Sequence, residues 1–472
     1  MTTATTPLDS SAVDPALPLP PSQLPPVERR AALPAGFVAG GATVGIKRSG
    51  RPDLAIVATA DGPVGREPAA VAAVFTPNAF AAAPIVVSRA NLRATAPEGG
   101  GGYGWAAGVV STSGCANAAT GPAGTEDQVL VVEALATALG VPAARTLAMS
   151  TGIIGPRLPL DRALPGIAGL VGTGLTASDD GFAAAAEALR TTDSRAKAAT
   201  TSIELPGPDG RPVAVRISGI AKGVGMIHPR MATMLAIVLT DAAVEPAVLA
   251  GLLRPAAART WDQLSVDGDT STNDTVFVLA GGAAGNAPIA AGSEAATALG
   301  RAIEAVARDL ARQQAADGEG ATTLITCAVT GARDDADARA VARAVVSSSL
   351  VKAAIHGRDP NWGRIVGAAG NARLADPAVL VAAGLTVTDA EARGGRAADV
   401  VPDRSRVAIA GRLVFDGTAG GPIVFDRAAT RTAMDTPDCL IRLDLGLGEG
   451  SGEAFGCDLT EAYVRENAEY TT

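Results

Sequence analysis

The chain has 472 residues, of which 47% are hydrophobic and 18% are charged, as is typical of globular proteins. Its formal net charge of −9 and its aromatic content of 3% argue against a nucleic-acid-binding surface, which needs basic clusters and rings for base stacking. The two histidines leave almost no material for a histidine-based metal site or catalytic triad.

The N-terminal residues 1–34 are rich in Pro, Ser and Thr and contain no Lys or Arg before Arg29. They lack the basic start and apolar core of a signal peptide and the arginine-rich pattern of a transit peptide. We therefore predict a disordered tail, with the folded part beginning near Leu33. No apolar run approaches the roughly 20 residues of a membrane span, and the four cysteines are scattered, which favours a reduced, cytoplasmic protein.

Two buried strands are predicted in the first quarter of the chain. Residues 54–58 and 107–111 are short apolar runs of the kind that buried strands have. Between them, residues 96–104 are rich in Gly and lack the Lys-Ser/Thr ending of a phosphate-binding loop. We predict a flexible loop there.

A helix is predicted over 125–139. Thr125 and Gln128 have the spacing of a capping box, and Gly140 follows as a stop signal. Apolar residues recur at helical spacing and predict one inward face. The residues of that face are Val129, Val132, Leu135 and Leu139.

A second helix is predicted over 294–315, with Ser293 as its N-cap and Gly318 beyond its end. Its apolar face also has helical spacing. The residues of that face are Leu299, Ile303, Val306 and Leu310.

The C-terminal region contains strand patterns. Apolar residues alternate on both sides of Gly411, which predicts a β-hairpin, and residues 439–445 alternate likewise. The alternating residues of the hairpin are Val407, Ile409, Leu413 and Phe415. Helices and strands interleave without a regular βαβ period, so an α+β layered fold is favoured over a Rossmann sheet.

The most informative segment joins a Gly-rich loop, which begins at Lys222, to the apolar run 234–240. Ala232 and Thr233 stand directly before that run. Attack of the Thr233 hydroxyl on the carbonyl of Ala232, followed by hydrolysis, would free the α-amine of Thr233. That amine has a pKa of about 8 and can act as the general base for its own hydroxyl. From residue type alone, an ordinary Thr at the start of a buried strand is the commoner interpretation.

Segments over nearly all of residues 35–472 resemble the ornithine acetyltransferase family, also called glutamate N-acetyltransferases. The shared motifs include Ser-Thr-Gly and Asp-Gly-Glu-Gly-Ala-Thr. The segments that resemble the family are Met149–Gly155, Thr191–Asp193, Lys222–Thr240, Ser265–Thr275, Asp317–Thr322, Asp359–Arg364 and Asn467–Thr472.

The resemblance implies a role for each matched residue. Thr233 would be the nucleophile after cleavage between Ala232 and Thr233, and Thr151 and Gly152 would form the oxyanion hole. Lys222 would face the substrate carboxylates, and Glu319 would bind the substrate amine. The substrate-binding set would be Thr191, Lys222, Thr233, Glu319, Asn467 and Thr472. Residues 265–275 and 359–364 would be loops that frame the site.

The implied reaction is acetyl transfer from N-acetylornithine to glutamate through an acetyl-Thr233 intermediate, in arginine biosynthesis. The implied fold is an αββα sandwich built jointly by an alpha chain, 35–232, and a beta chain, 233–472. These chains would form an alpha-beta heterodimer that assembles to a dimer or tetramer of heterodimers. No metal or cofactor is implied, although some members also use acetyl-CoA as an acetyl donor.

The chain departs from the family pattern at three places. Residues 194–197 replace the usual Thr-x-Pro-Lys, Cys115 stands where Asn or Gly is usual, and His228 stands where Ala is common. We predict that Cys115 is a small buried residue. Three alternatives stay open: a related acyltransferase of an antibiotic-type pathway, a self-processing amidase or aminopeptidase, and a self-cleaving protein that only binds acyl-amino acids.

Overall fold

A computed structural model describes Leu17 and residues 23–63, 65–227 and 234–468. Its strands, in chain order, are β1 Phe37–Ala42, β2 Leu54–Thr59, β3 Ala69–Phe75, β4 Tyr103–Ala106, β5 Gly108–Cys115, β6 Thr146–Ile153, β7 Lys197–Pro206, β8 Pro212–Lys222, β9 Leu235–Thr240, β10 Leu264–Ser265, β11 Thr275–Ala280, β12 Leu324–Ala332, β13 Arg406–Ile409, β14 Arg412–Asp416, β15 Gly421–Pro422, β16 Asp438–Asp444 and β17 Gly450–Cys457.

Its α-helices, in chain order, are α1 Ala83–Thr95, α2 Gly121–Leu139, α3 Leu160–Thr173, α4 Asp179–Leu189, α5 Pro246–Arg259, α6 Glu294–Ala316, α7 Asp335–Ser347, α8 Ser349–His356, α9 Trp362–Gly370, α10 Pro377–Ala382, α11 Val387–Arg393, α12 Arg427–Ala433 and α13 Glu461–Ala468. Within the described ranges, none of these helices combines the length and the apolar character that crossing a membrane requires.

Two sheets pack face to face in the larger lobe. One has the strand order β1-β2-β5-β6, and the other has the order β4-β3-β11-β9-β8-β7. Val57 and Leu147 of the first sheet share a buried cluster with Ile237 and Phe277 of the second. Helices α2 and α3 cover the outer face of the first sheet, and α5 and α6 cover the outer face of the second. The predicted αββα sandwich is confirmed.

The central strands are apolar along their whole length because helices or the other sheet cover both faces. Every residue of β2, β9 and β11 is buried. The apolar run after Thr233 is β9, as predicted. It pairs in parallel with β11 and antiparallel with β8, where Lys222 lies opposite Leu235.

The six-stranded sheet contains strands from both sides of position 232. Strands β3, β4, β7 and β8 precede it, and β9 and β11 follow it. The boundary between 35–232 and 233–472 therefore runs through one sheet and does not separate two folding units.

A second lobe follows, built on a sheet with the order β10-β17-β12-β16-β13-β14-β15. Ile325 and Ile441 of this sheet pack with Val341 of α7, Ile355 of α8 and Ile365 of α9. Helix α6 contacts both lobes, because its apolar face reaches β7 and β8 as well as β17. The two lobes are thus joined through a shared helix.

The N-terminal prediction is wrong for residues 23–34, which belong to the fold. Glu28 exchanges two backbone hydrogen bonds of 2.8 Å with Thr200, at the free edge of β7. The carbonyl of Leu33 accepts a hydrogen bond of 3.1 Å from the Arg216 guanidinium. Disorder was predicted from the Pro, Ser and Thr content of residues 1–34, but the backbone near Glu28 pairs with the edge of β7, and Ala32 and Leu33 are buried.

Helix α2 begins at Gly121, four residues before the predicted start. Pro122 occupies its first turn, and no side chain caps it, so the predicted capping box of Thr125 and Gln128 does not form. Val129 is 38% exposed, contrary to prediction, because the packed face runs through Val131 and its neighbours. Thr and Gln three residues apart can occur inside a helix as well as at its start, so this spacing alone does not locate the first turn.

The other local predictions can be judged directly. Helix α6 is confirmed, with the Ser293 hydroxyl accepting a 3.1 Å hydrogen bond from the Ala296 amide. The hairpin of β13 and β14 and strand β16 are confirmed. The loop prediction for 96–104 is wrong at its end, since Tyr103 begins β4 and pairs with Ala72 of β3.

Candidate active site

A cavity of about 320 Å³ opens where the C-terminal ends of β6 and β8 meet the loop before β11 and the loop after α6. It brings together residues from seven separate parts of the chain. The lining residues are Ala116, Thr151, Gly152, Ile153, Ile154, Thr191, Thr192, Lys222, Gly225, Met226, Ser271, Thr272, Asn273, Glu319 and Asn467. Every predicted site residue that the structure describes is among them.

Four residues of interest lie outside the described residues: His228, Ala232, Thr233 and Thr472. The residue after Thr233 is described. The amide of Met234 donates a 2.9 Å hydrogen bond to Asp274, and its carbonyl accepts one of 2.9 Å from the Thr275 amide. On the other side, Met226 lines the cavity. The stretch that contains Thr233 is therefore attached at both ends to elements that build this cavity.

Gly152 lies at a position where the backbone excludes every other residue. Strands β5 and β6 pair in parallel, and their register shifts at Gly114 and Cys115, directly opposite Gly152. Gly152 has a φ of +131°, and a Cβ there would stand 2.3 Å from the carbonyl carbon of Gly114. Bulges of this kind re-aim the end of a strand, and here the bulge lies beside the cavity.

Replacing Gly152 with alanine is expected to lower the free energy of unfolding by roughly 2–4 kcal/mol, from the backbone collision and the positive φ together. Gly155→Ala is the matched control. Gly155 has a φ of +105°, but a Cβ there meets nothing within 4 Å, so only the conformational cost of about 1 kcal/mol applies. Urea unfolding of both variants measures the difference. Equal losses would show that the contact with Gly114 is unimportant.

A buried asparagine holds the end of β6 against the loop before β11. The Nδ2 of Asn273 donates hydrogen bonds of 2.7 Å to the carbonyl of Ala116 and 2.8 Å to the carbonyl of Ser150. The Ser150 hydroxyl donates a further 2.6 Å bond to Ala116. Of the segment 265–275, which was predicted to frame the site, residues 271–273 line the cavity.

Lys222 supplies a positive charge to one wall. Its side chain is 7% exposed, and its Nζ lies 3.3 Å from the Oγ1 of Thr151 and 4.0 Å from a carboxylate oxygen of Asp193. Burial lowers the pKa of Lys222, and the charge of Asp193 opposes that effect. The ammonium is therefore poorly solvated and available to a ligand carboxylate.

Asp193 and Lys197 lie behind Lys222, and the sequence analysis selected neither of them as a site residue. Burial disfavours the Asp193 carboxylate, but the charges of Lys197 and Lys222 hold its pKa well below the usual range. Asp193 accepts bonds of 2.6 Å from the Nζ of Lys197 and 2.8 Å from the Gly223 amide. Lys197 also donates 2.6 Å to Asp317. In the sequence, the only indication of this ion pair was that Lys197 follows Asp193 by four residues.

Glu319 supplies the opposite charge. Its two carboxylate oxygens accept hydrogen bonds of 2.9 Å from the Thr192 hydroxyl and 2.9 Å from the Asn467 side-chain amide. A Cβ on Gly225 would stand 2.3 Å from Glu319 Oε2, so the glycine makes room for the carboxylate. Thr192 was also missed in the sequence, where its neighbour Thr191 was selected.

Two other predicted features lie away from the cavity. Residues 359–364 do not frame it; they lie in the second lobe, where Asn361 caps α9. A motif match does not by itself show which cavity a loop lines.

Cys115 is buried, as predicted. Burial raises the pKa of its thiol, which donates a hydrogen bond of 3.3 Å to the Pro156 carbonyl. Among the described residues, no cluster of three or more His, Cys, Asp or Glu side chains is arranged to hold a metal ion.

The charges have a simple chemical meaning. An ammonium at Lys222 and a carboxylate at Glu319 face one cavity, with Thr151 and Gly152 also on its wall. A small molecule that carries both a carboxylate and an amine, such as an amino acid, matches this pair of charges. The cavity, of about 320 Å³, is large enough for such a molecule.

The chain is similar to known proteins over most of its length. Residues 38–472 match the model of the ArgJ family. The arginine biosynthesis bifunctional protein ArgJ of Synechococcus sp. is 43% identical over 439 residues, which are 93% of this chain and 96% of that protein. The crystal structure of ArgJ from Bacillus halodurans is 35% identical, covers 49% of this chain and 96% of that one, and has a TM-score of 0.42. Ornithine acetyltransferase from Mycobacterium tuberculosis, solved with ornithine, is 36% identical, covers 43% of this chain and 97% of that one, and has a TM-score of 0.35.

Proposed function

The chain belongs to the ArgJ family, and we propose that it moves an acetyl group from N-acetylornithine to glutamate in arginine biosynthesis. The observation that carries the proposal is the cavity in which Lys222 and Glu319 face Thr151 and Gly152. Both substrates are amino acids, and the two charged walls suit their carboxylate and amine groups.

The first step is self-cleavage between Ala232 and Thr233. The Thr233 hydroxyl attacks the carbonyl carbon of Ala232, the peptide C–N bond breaks, and an ester forms with release of the Thr233 amine. Water hydrolyses the ester and restores the hydroxyl. The products are residues 1–232 and 233–472, which stay together because β8 and β9 are hydrogen-bonded neighbours.

Transfer then follows two matched half-reactions. The free amine of Thr233 takes the proton of its own hydroxyl, and the oxygen attacks the acetyl carbonyl of N-acetylornithine. Thr151 and Gly152 stabilise the oxyanion, a contribution of roughly 3–4 kcal/mol for a donor in related acyl transfers. The acetyl–nitrogen bond breaks, and ornithine leaves with the proton. The glutamate amine then attacks acetyl-Thr233 and regenerates the hydroxyl.

The remaining residues bind the amino-acid parts of the substrates. Lys222 pairs with the carboxylate and Glu319 with the amine, while Thr191 and Asn467 complete the walls. Thr472 would close the site from the C-terminus. The Asn467 amide already donates to Glu319, which supports a shared role for these two residues.

Three wider features belong to the same proposal. The transfer uses no metal or cofactor. Acetyl-CoA serves as a second acetyl donor, in keeping with the word bifunctional in the names of the relatives. The two fragments form a heterodimer that assembles to a dimer or tetramer in the cytoplasm.

Intact-mass analysis of the purified protein tests the cleavage. We expect two pieces of 232 and 240 residues, the second beginning at Thr233. A single uncut chain of 46.7 kDa with a normal melting transition would contradict the mechanism, because Thr233 would then have no free amine.

Turnover measurements separate transfer from hydrolysis. With N-acetylornithine and glutamate together, we expect N-acetylglutamate and ornithine in equal amounts. Release of acetate at the same rate without glutamate would favour an amidase. Cleaved protein with no turnover would instead favour a role in binding only.

A further inference from the structure

The second lobe contains a larger cavity, of about 750 Å³, between α7, α8 and α9. It shares no lining residue with the cavity of Lys222 and Glu319. One wall carries Asn361, Gly363 and Arg364 of the Asp-Pro-Asn-Trp-Gly-Arg motif, and no residue of this motif lines the cavity of Lys222 and Glu319. The polar residues that matter most are Arg343, Ser347, Ser348, Asn361, Arg364 and Arg373.

The charge of this cavity is entirely positive. Three arginines line it and no Asp or Glu does, in a chain with 48 acidic and 39 basic residues. Arg364 donates a 2.8 Å hydrogen bond to the Leu350 carbonyl, and Arg373 donates one of 3.3 Å to the Gly395 carbonyl. Neither makes an ion pair with any described carboxylate. Arg343 also lines a small neighbouring cavity together with the buried Asp262, whose carboxylate its charge favours.

Two helix N-termini add to the positive potential. Ser348 caps α8 and Asn361 caps α9, and residues of both first turns line the cavity. The first turn of a helix presents backbone N–H groups and the positive end of the helix dipole. The Ser347 hydroxyl, at the end of α7, is buried without a hydrogen-bond partner among the described residues. Arginines, N-termini and a spare hydroxyl thus point to one anion.

The floor of the cavity is formed by small residues. A Cβ on Gly367 of α9 would meet nothing within 4 Å, so the space in front of this helix is open. Because arginines line the same cavity, this space suits a tetrahedral oxyanion that accepts several hydrogen bonds at once. A volume of about 750 Å³ exceeds a single phosphate and leaves room for an organic group attached to it.

We propose that this cavity binds the phosphoryl group of a phosphorylated small molecule, at a site separate from acetyl transfer. Arg364 and Arg373 hold the phosphoryl oxygens, and the first turns of α8 and α9 complete the shell. The proposal does not depend on the reaction at Thr233.

Calorimetric titration of the purified full-length protein tests this site, with inorganic phosphate and ADP as the two probes. We expect binding of both, weaker at high salt. Arg364→Gln should weaken binding at least about tenfold, because a charge-assisted contact is lost. Gly367→Leu should weaken it at least as much, by filling the open space. Tighter binding of ADP would mean that the attached group is also recognised; equal binding would mean that the phosphoryl group alone is.

Gly370→Leu is the matched control for the steric variant. Gly370 belongs to the same helix, a Cβ there also meets nothing within 4 Å, and it does not line the cavity. We expect Gly370→Leu to bind both probes as tightly as the parent protein. We also expect Arg364→Gln, Gly367→Leu and Gly370→Leu to keep the melting temperature of the parent. Absence of binding for both probes up to about 1 mM would overturn the proposal. Equal weakening in Gly367→Leu and Gly370→Leu would overturn it as well.

Discussion

Replacing Thr233 with alanine is expected to leave the chain uncut and to abolish acetyl transfer. The alanine has no hydroxyl to attack the carbonyl of Ala232, and without cleavage no free amine forms at position 233. In other enzymes with a covalent intermediate, removal of the nucleophile costs roughly 10⁶-fold in kcat. Intact mass reports the cleavage, and a coupled assay for ornithine release reports the transfer.

Thr233→Ser is the conservative partner of this experiment. Serine keeps the hydroxyl and, after cleavage, the adjacent amine, so both processing and turnover should survive at reduced rates. An alanine variant that is still cut before position 233, or that still transfers acetyl when uncut, would remove Thr233 from the mechanism. A serine variant with no activity would show that the threonine methyl group positions the nucleophile.

Replacing Lys222 with methionine is expected to lower kcat/KM by about 10- to 100-fold, chiefly through KM for both amino acids. Methionine keeps most of the side-chain volume but removes the ammonium that faces the substrate carboxylate. Hydrogen bonds to charged groups contribute about 1.5–3 kcal/mol, which sets this range. Steady-state kinetics with N-acetylornithine and with glutamate measures the change.

The pH dependence distinguishes this role from a structural one. Burial lowers the pKa of Lys222, so its ammonium loses the proton at a lower pH than an ordinary lysine does. The charge is present below that pKa and absent above it. KM should therefore rise on the alkaline side in the parent protein, and this rise should be missing in Lys222→Met.

Lys47→Met is the matched control. Lys47 is also buried, and burial lowers its pKa to about 8, but it donates to the Pro52 carbonyl and does not line the cavity. Its loss should cost some stability while KM stays within about twofold of the parent. An equal rise in KM for both variants would mean that Lys222 acts through the fold rather than through the substrate.

Several strands and two helices could be predicted from local patterns. The runs that became β2 and β9 are apolar throughout because both faces are covered, and such runs are visible without any partner. The α6 helix has a capping serine and a long apolar face, and both were identified. Prediction failed where a pattern had two physical meanings, as at Thr125, where the spacing of a cap occurs inside a helix.

Sequence patterns were enough to predict several strands and two helices, and the family resemblance implied the αββα class and six of the residues that line the cavity. Only the tertiary structure decided that Glu319 meets Thr192 and Asn467, residues 127 and 148 positions away, and that Lys197 joins Asp193 to Asp317. It also decided that residues 23–34 lie along the edge of β7 and that residues 359–364 line a different cavity. Periodicity reports which face of an element is buried. Which distant side chains share a cavity depends on the packing of sheets and helices, which no local window of sequence contains.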